Sequence, residues 1–284
     1  MSKQVNLYLI SRISYLISHI SCLVSHVSHL IMDFTIEKYE ELISALKDAG
    51  YEFVTYAEYC EGRRADRLVV MRHDIDRLEM STMRIGRMER RMGVKASYYF
   101  RERHVCSKFL ISFFVDRGHE VGYHYEDLVT EKGDVDKAYA RFVRNVEKMR
   151  QVADVRTITM HGSPKSRFDS KDMWRVYDYK KLGVIGEPQF DIDWSEMFYL
   201  TDTGRSWNGV SRRDKVAEFK SVWEAKGWVY KTTDDVIKAV QEGSFPKQLM
   251  MTTHPQRWTD NMWKWVKELV VQRVKNFVKR IYMN

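Results

Sequence analysis

From Met32 onward, apolar and polar positions alternate between two patterns along the chain, one typical of buried strands and one typical of helices. Short apolar runs between polar residues predict buried strands, and these runs are 67–72 (RLVVMR), 95–100 (KASYYF), 120–123 (EVGY), 156–160 (RTITM) and 248–253 (QLMMTT). Helical spacing, capping residues and closing glycines predict helices at 35–47, 79–91, 107–117, 134–150, within 210–226 and at 233–241. Residues 190–200 are predicted to be extended or irregular. A last helix, starting near Thr259, is predicted to turn Trp263, Val266, Leu269, Val270 and Val274 inward.

The regular alternation of strands and helices predicts a mostly parallel sheet in one α/β domain. About seven such units favour a (β/α) barrel of about seven strands over an open sheet, and 284 residues are enough to build it. Three common sites are absent from the sequence: the G-x-G-x-x-G dinucleotide loop, the G-x-x-x-x-G-K-[ST] phosphate loop and the G-x-S-x-G nucleophile elbow.

The first 31 residues have a different pattern. Residues 11–17, 18–24 and 25–31 are near-copies of one seven-residue unit, with apolar residues at the spacing of an amphipathic helix. This predicts an extra N-terminal helix, and three interpretations of the segment stay open. It is a coiled-coil or membrane-surface helix, it is an export or anchor segment, or it is a translated DNA repeat that is no part of the native protein. Serine and histidine interrupt the apolar stripe too often for stable membrane insertion. We therefore treat 1–31 as a separate segment and 32–284 as the catalytic domain.

Charge and cysteine content indicate which binding partners and which cellular compartment are expected. The net charge is +8, and much of the excess lies in a C-terminal run: Lys264, Lys267, Arg273, Lys275, Lys279 and Arg280. No nucleic-acid motif accompanies this run, which favours a solvated helix face over a nucleic-acid or anionic-membrane partner. The three cysteines form no CxxC pair, so the sequence predicts neither a disulfide framework nor a cysteine zinc site. Together with the lack of a clear export signal, this predicts a cytoplasmic protein.

Acidic residues follow the first predicted buried strand directly. Asp74 and Asp76 are two residues apart in an extended segment, so both side chains should point to one pocket. Two carboxylates this close repel each other, and a metal ion between them removes that cost. One carboxylate would then be a ligand and the other a base.

Histidines follow three of the later strands. His124 lies beside Glu126, His161 precedes a glycine that lets the backbone approach a ligand, and His254 ends the last strand. Neutral imidazole among carboxylates suits zinc, and a histidine near neutral pH can protonate a leaving group. Because active sites of parallel barrels form at the carboxyl ends of the strands, these residues predict one metal-dependent site.

Four motifs resemble the polysaccharide deacetylase superfamily, the family-four carbohydrate esterases. They are "VVMRHDID", "KASYYF", "GHEVGYH" and "MMTTHP", and "RHDID", "HEVGYHYE" and "HPQRW" resemble a divergent branch found among surface-polysaccharide genes. The resemblance covers about residues 32–284. It implies a distorted (β/α) barrel and one divalent metal ion, with Asp74 as general base, Asp76 and His124 as metal ligands, and His254 as general acid.

Two departures from the family pattern concern the metal and the support of the base. The family's second metal histidine, four residues after the first, is replaced by Leu128. His161 is the first candidate for the missing ligand and Glu126 the second.

The Asp-Trp pair that supports the base in the family has two candidates here. One is Asp193 with Trp194, and the other is Asp202 with Arg205.

The resulting functional hypothesis is a zinc-dependent hydrolase that removes an acetyl group from an N-acetylated sugar or surface-polysaccharide precursor. Arg72, Arg205 and Trp258 are predicted to contact the substrate or orient the base. Two alternatives stay open, and the oligomeric state is not predicted. One alternative is a catalytically inactive sugar-binding protein on the same fold, suggested by Leu128, and the other is a metallohydrolase of small cyclic amides.

Overall fold

A computed structural model describes residues 32–77, 80–163, 166–207, 215–268 and 270–271. The predicted N-terminal helix and the 1–31 segment lie outside the described residues. Seven strands occur in the described part of the chain, and they are β1 Glu52–Val54, β2 Leu68–Ile75, β3 Ser97–Phe100, β4 Glu120–Tyr125, β5 Ile158–Met160, β6 Phe198–Thr201 and β7 Gln248–Thr253. All pair in parallel, in the order β5-β4-β3-β2-β7-β6.

Strand β2 lies at the centre of this sheet and is fully buried. Its first residues pair with β1, its later residues pair with β3, and β7 runs along its other edge. Because every residue of β2 is buried, both faces of the strand are covered, as the continuous apolar run in its sequence predicts. Strands β1 and β6 were not predicted as strands, and of the residues in β6 those up to 200 were expected only to be extended or irregular.

Helices surround the sheet, as the alternating pattern predicts. They are α1 Ile36–Asp48, α2 Tyr56–Cys60, α3 Met80–Arg91, α4 Glu102–Val105, α5 Lys108–Val115, α6 Asp127–Thr130, α7 Val135–Arg150, α8 Pro188–Asp191, α9 Lys220–Ala225 and α10 Thr233–Gln241. Short 3-10 helices cover Ser170–Arg175, Tyr179–Leu182, Lys215–Phe219 and Pro255–Arg257. The curled parallel sheet with its surrounding helices forms a single α/β domain, which confirms the predicted distorted barrel.

Side-chain caps explain where two of the helices begin. The Thr35 hydroxyl accepts the backbone N–H of Lys38 at 3.0 Å at the start of α1. At the start of α10, Thr232 and Asp235 form a reciprocal capping box. Side-chain caps of this kind satisfy backbone donors that have no partner within the helix.

The C-terminal helix contradicts the sequence prediction. Residues 262–268 are helical, but Trp263 is 80% exposed and Val266 and Val270 are also exposed. The side of the helix that carries Trp265 and Glu268 contacts the body instead. The prediction that Trp263, Val266 and Val270 pack inward is therefore wrong, while the side chain of Leu269, and Val274, lie outside the described residues.

Candidate metal-dependent active site

The carboxyl ends of five strands bring the predicted residues to one edge of the sheet. Asp74 lies within β2, His124 within β4, His161 just after β5, Asp202 just after β6 and His254 just after β7. The register explains the convergence, because all these strands are parallel and hydrogen-bonded to their neighbours up to this edge. β4 is longer than predicted, so His124 lies inside the strand rather than after it.

Asp74 is held by an arginine of its own strand. Arg72 and Asp74 are two residues apart, so their side chains point to the same face. Nε and Nη2 of Arg72 donate to the two carboxylate oxygens at 2.7 and 2.8 Å, and both residues are buried. Burial alone would raise the pKa of Asp74, but Arg72, His124 and His254 hold it below its usual range. Asp74 is therefore ionised and held in a fixed orientation.

Asp76, His124 and His161 form a compact group of possible metal ligands. Oδ1 of Asp76 lies 3.6 Å from Nε2 of His124 and 3.4 Å from Nε2 of His161. One ligand atom from each residue lies within 4.8 Å of the others. Neighbouring ligands of a tetrahedral zinc ion, with bonds of about 2.1 Å, are separated by about 3.4 Å. The spacing therefore fits a divalent cation.

The buried Asp76 oxygen gives a second reason to expect a cation. Within the described residues, Oδ1 of Asp76 is buried and accepts no hydrogen bond. A buried carboxylate oxygen without a donor is costly unless a charge satisfies it. Burial alone would raise the pKa of Asp76, but the nearby rings of His124, His161 and His254 hold it far below its usual range.

The second nitrogen of His124 determines which atom faces the group. Nδ1 of His124 lies 3.1 Å from the carbonyl oxygen of Thr159 and 2.9 Å from its hydroxyl. Because a carbonyl oxygen can only accept, Nδ1 carries the proton and Nε2 keeps a free lone pair. Burial lowers the pKa of His124, against the opposing effect of Asp74 and Asp76, which favours the neutral ring that metals bind.

Glu126 lies behind His161 rather than among the three ligand atoms. Its Oε2 lies 3.1 Å from Nδ1 of His161, and its Oε1 pairs with the guanidinium of Arg101. Burial alone would raise the pKa of Glu126, but His161 and Arg101 lower it to about 2. Burial alone would lower the pKa of His161, but Asp76 and Glu126 raise it to about 9. Of the two predicted substitutes for the family's second histidine, His161 is the one beside both Asp76 and His124.

The position of Leu128 explains why that residue does not reach the site. Leu128 lies in the short helix α6 and is buried in the hydrophobic core. Chain topology brings His161 to the group instead, since β5 pairs with β4 and His161 follows β5 directly. Its backbone N–H donates to the carbonyl of Tyr125 at 2.8 Å, which extends the hydrogen bonding between β4 and β5 by one residue.

His254 is fixed by the carboxylate of Asp202. Nδ1 of His254 lies 2.6 Å from Oδ1 of Asp202, and the backbone N–H of His254 donates to Oδ2 at 2.9 Å. Asp202 is fully buried and also accepts from the Trp258 indole at 2.8 Å and from Arg257 at 3.1 Å. Nε2 of His254 is left facing Asp76, at 3.9 Å from its Oδ2.

Two of the other predicted residues lie in unexpected surroundings. Trp258 is fully buried, so its ring has no exposed face for a sugar, and it acts through its hydrogen bond to Asp202. The Arg205 side chain donates to the backbone carbonyls of Arg257 and Asp33 and lies over the ring of Phe34. Its backbone N–H donates to the carbonyl of Asp202 at 3.0 Å.

The two candidates for the family's Asp-Trp pair also differ from the expected arrangement. Asp193 is exposed, precedes β6 and accepts from Ser195, whereas Asp202 follows β6 and holds His254. The residue that pairs directly with Asp74 is Arg72. The sequence reasoning missed the Asp202–His254 pair and the Arg101–Glu126 pair. The only signal for the first pair was the position of Asp202 after a strand that had not been recognised.

No family model matches this chain, and no curated protein matches it. Among solved structures, a family-four carbohydrate esterase pseudoenzyme from Bacillus anthracis is 12% identical with a TM-score of 0.42, covering 75% of this chain and 63% of that one. A family 4 carbohydrate esterase from Bacillus anthracis is 14% identical with a TM-score of 0.40, covering 82% and 86%. The catalytic domain of a peptidoglycan N-acetylglucosamine deacetylase from Eubacterium rectale is 14% identical with a TM-score of 0.42, covering 75% and 87%.

This chain therefore spans less than two thirds of the first of these structures. At such identities and TM-scores, function has to be inferred from the residues of the site. In the described part of the chain, no helix combines the length and apolar character needed to cross a membrane.

Proposed function

We propose that this protein is a metal-dependent deacetylase that hydrolyses the N-acetyl group of a sugar or surface-polysaccharide precursor. The observation that carries the proposal is one cluster in which Asp76, His124 and His161 lie beside an arginine-held Asp74 and a carboxylate-held His254. Motif resemblance supplies the substrate class, and the geometry supports the chemistry. The metal is proposed to be zinc, because the donor set is two imidazoles and one carboxylate.

The proposed cation site consists of Asp76, His124 and His161. A cation bound there would polarise the amide carbonyl of the substrate and increase the acidity of a water molecule. Glu126 would act on the opposite side of the His161 ring, orienting it, while Arg101 balances the charge of Glu126.

The proton transfers are assigned to residues on either side of this group. Asp74 takes a proton from the attacking water, whose oxygen bonds to the carbonyl carbon of the acetamide. His254 gives a proton to the sugar nitrogen as the carbon–nitrogen bond breaks, so that acetate and a free amine leave. Asp202 keeps His254 aligned, because it binds both Nδ1 and the backbone N–H of that residue. Arg72 keeps Asp74 ionised and directed into the site.

The first experiment is the metal content of the full chain after incubation with zinc and removal of excess. About one zinc ion per chain is expected, with loss in both His124→Ala and His161→Ala. Asp193→Asn is a matched control for weak surface binding, because Asp193 is exposed and contacts Ser195. Loss of bound zinc in His124→Ala but not in His161→Ala would indicate that Glu126, rather than His161, is the third ligand. A wild-type protein that binds no zinc would favour the sugar-binding alternative.

Substrate class is tested separately by release of acetate. A panel of N-acetylated sugars is compared with small cyclic amides, using zinc-loaded protein. Turnover of the sugars supports the deacetylase, whereas turnover restricted to the cyclic amides would favour the other metallohydrolase.

A further inference from the structure

The C-terminal helix presents an apolar face to solvent. Residues 262–268 and 270–271 are helical, and on them Trp263 is 80%, Val270 54% and Met262 43% exposed. Val266 is also exposed, and residues 263, 266 and 270 share one side of an α-helix. Contiguous exposed apolar residues of this kind mark an interaction surface.

Contacts to the body fix the orientation of this face. The indole N–H of Trp265 donates to the carbonyl of Asp33 at 2.6 Å, and Glu268 pairs with Arg77 at 3.0 Å. Just before the helix, Asp260 pairs with Arg84 at 2.7 Å. The helix is thus attached through its other side, and Trp263 and Val270 point away from the domain.

Basic residues accompany the apolar stripe. Between residues 259 and 284 the sequence has six lysines and arginines and two acidic residues, Asp260 and Glu268. Both acidic residues are already paired with arginines of the body. The apolar spacing of Trp263, Val266 and Val270 continues in the sequence at 274, 277 and 281. A helix with tryptophan and aliphatic residues on one side and lysine and arginine elsewhere is typical of binding in the plane of an anionic bilayer surface.

The N-terminal segment bears on which partner covers this face. Residues 1–31 join the domain at Met32, beside Asp33, whose carbonyl holds Trp265. That segment contains no aspartate or glutamate, so its apolar stripe could meet this face only without any charge complementary to the basic C-terminal stretch. The same comparison counts against a second copy of the C-terminal helix, which would bring like charges together.

We propose that the face of Trp263, Val266 and Val270 docks on an anionic membrane surface. The helix lies on the bilayer with its apolar side among the lipid headgroups, and Lys264 and Lys267 of the same helix contact phosphate groups. Docking would hold the candidate active site near the bilayer, because Arg77, which pairs with Glu268, directly follows Asp76 in the chain. The inference goes beyond the proposed deacetylase activity and does not depend on it.

The test is sedimentation of the full chain with lipid vesicles. Vesicles of phosphatidylglycerol and phosphatidylcholine are compared with vesicles of phosphatidylcholine alone, and the anionic binding should weaken as salt rises. The double variant Trp263→Ser, Val270→Ser is expected to bind anionic vesicles at least about tenfold more weakly, because it removes the apolar contribution. Phe109→Ser is the matched control, since Phe109 lies in α5 and is 74% exposed. Circular dichroism checks folding, and Val266→Ser provides a milder variant of the same face.

Three outcomes would overturn the proposal. The first is wild-type protein that does not sediment with anionic vesicles, and the second is a folded double variant or Val266→Ser that sediments as well as wild type. The third is a lipid-free dimer, seen by sedimentation velocity, that the double variant converts to monomer, because a second copy would then cover the face.

Discussion

Nδ1 of His254 lies 2.6 Å from Oδ1 of Asp202, a carboxylate with no exposure to solvent. The other oxygen of Asp202 accepts the backbone N–H of the same histidine. Asp202 therefore holds both the ring and the backbone of His254, and Nε2 of the ring faces Asp76. This arrangement fits a histidine that gives its proton in one fixed direction.

Asp202→Asn is expected to reduce kcat by about 10²–10⁴-fold, the usual contribution of a positioned acid or base. An amide lacks the charge that stabilises a protonated ring and can present its own N–H to Nδ1. The measurement is acetate release by zinc-loaded protein, with metal content expected to stay near that of wild type. Asp193→Asn serves as the control and should keep full activity. Wild-type kcat in folded Asp202→Asn would exclude this role for the pair.

Asp74→Asn is expected to keep bound zinc and lower kcat by about 10³-fold, because the proposed base is removed while Asp76, His124 and His161 stay in place. It also leaves the buried guanidinium of Arg72 without its ionic partner, so a loss of about 1–3 kcal/mol in the free energy of unfolding should accompany it. Elemental analysis, acetate release and urea unfolding separate these effects. Full activity would show that another group accepts the proton.

Glu126→Gln is expected to weaken zinc binding by about 10–100-fold without abolishing it. The reason is that Glu126 contacts Nδ1 of His161, on the far side of the ring from Asp76. Competition with a chromophoric chelator measures the dissociation constant. His161→Ala provides the comparison and should lose the metal more completely. Equal losses in the two variants would indicate that Glu126 is itself a ligand.

Asp127 predicts a pH dependence of stability away from the catalytic chemistry. Its carboxylate is buried, with Tyr123 and Asn145 at 3.2 and 3.5 Å, and burial raises its pKa to about 7. An unfolded chain loses this proton near pH 4, so the folded state binds it more tightly. The contribution of Asp127 is therefore largest below about pH 4 and is lost as the pH rises through 7, by about 1.4 kcal/mol per pH unit.

Asp127→Asn removes this proton and keeps an acceptor for Tyr123. The variant should therefore gain stability relative to wild type between pH 5 and pH 8, measured by urea unfolding at both values. A difference between the two proteins that stays constant with pH would contradict the raised pKa.

Much of the domain was predictable because its pattern is local. The caps at Thr35 and Thr232 and the apolar runs of β2 and β7 each lie within a few consecutive residues. The parallel arrangement then followed from alternation alone, and it implied that the carboxyl ends of the strands meet. This is why Asp74, Asp76, His124 and His254 could be selected as one group before their distances were known.

The partners within that group depended on the tertiary structure. His161 and Glu126 were both acceptable third ligands in the sequence, and only the pairing of β4 with β5 brings the His161 ring against Asp76. Asp202 meets His254 because β6 pairs with β7, with Thr201 opposite Thr252. Strand pairing joins residues that are far apart in the chain, and no local pattern encodes it.

The C-terminal helix shows the same division. The amphipathic spacing of Trp263, Val266 and Val270 was evident in the sequence, and from it we predicted burial against the domain. In the structure, Trp265 and Glu268 contact the body and leave the apolar side exposed. The sequence by itself determined five of the seven strands in the described residues, together with the helix caps and the chemical groups of the site, because these follow from neighbouring residues. Which groups meet, and which apolar face stays uncovered, was decided only by packing, because it depends on surfaces supplied by distant parts of the chain.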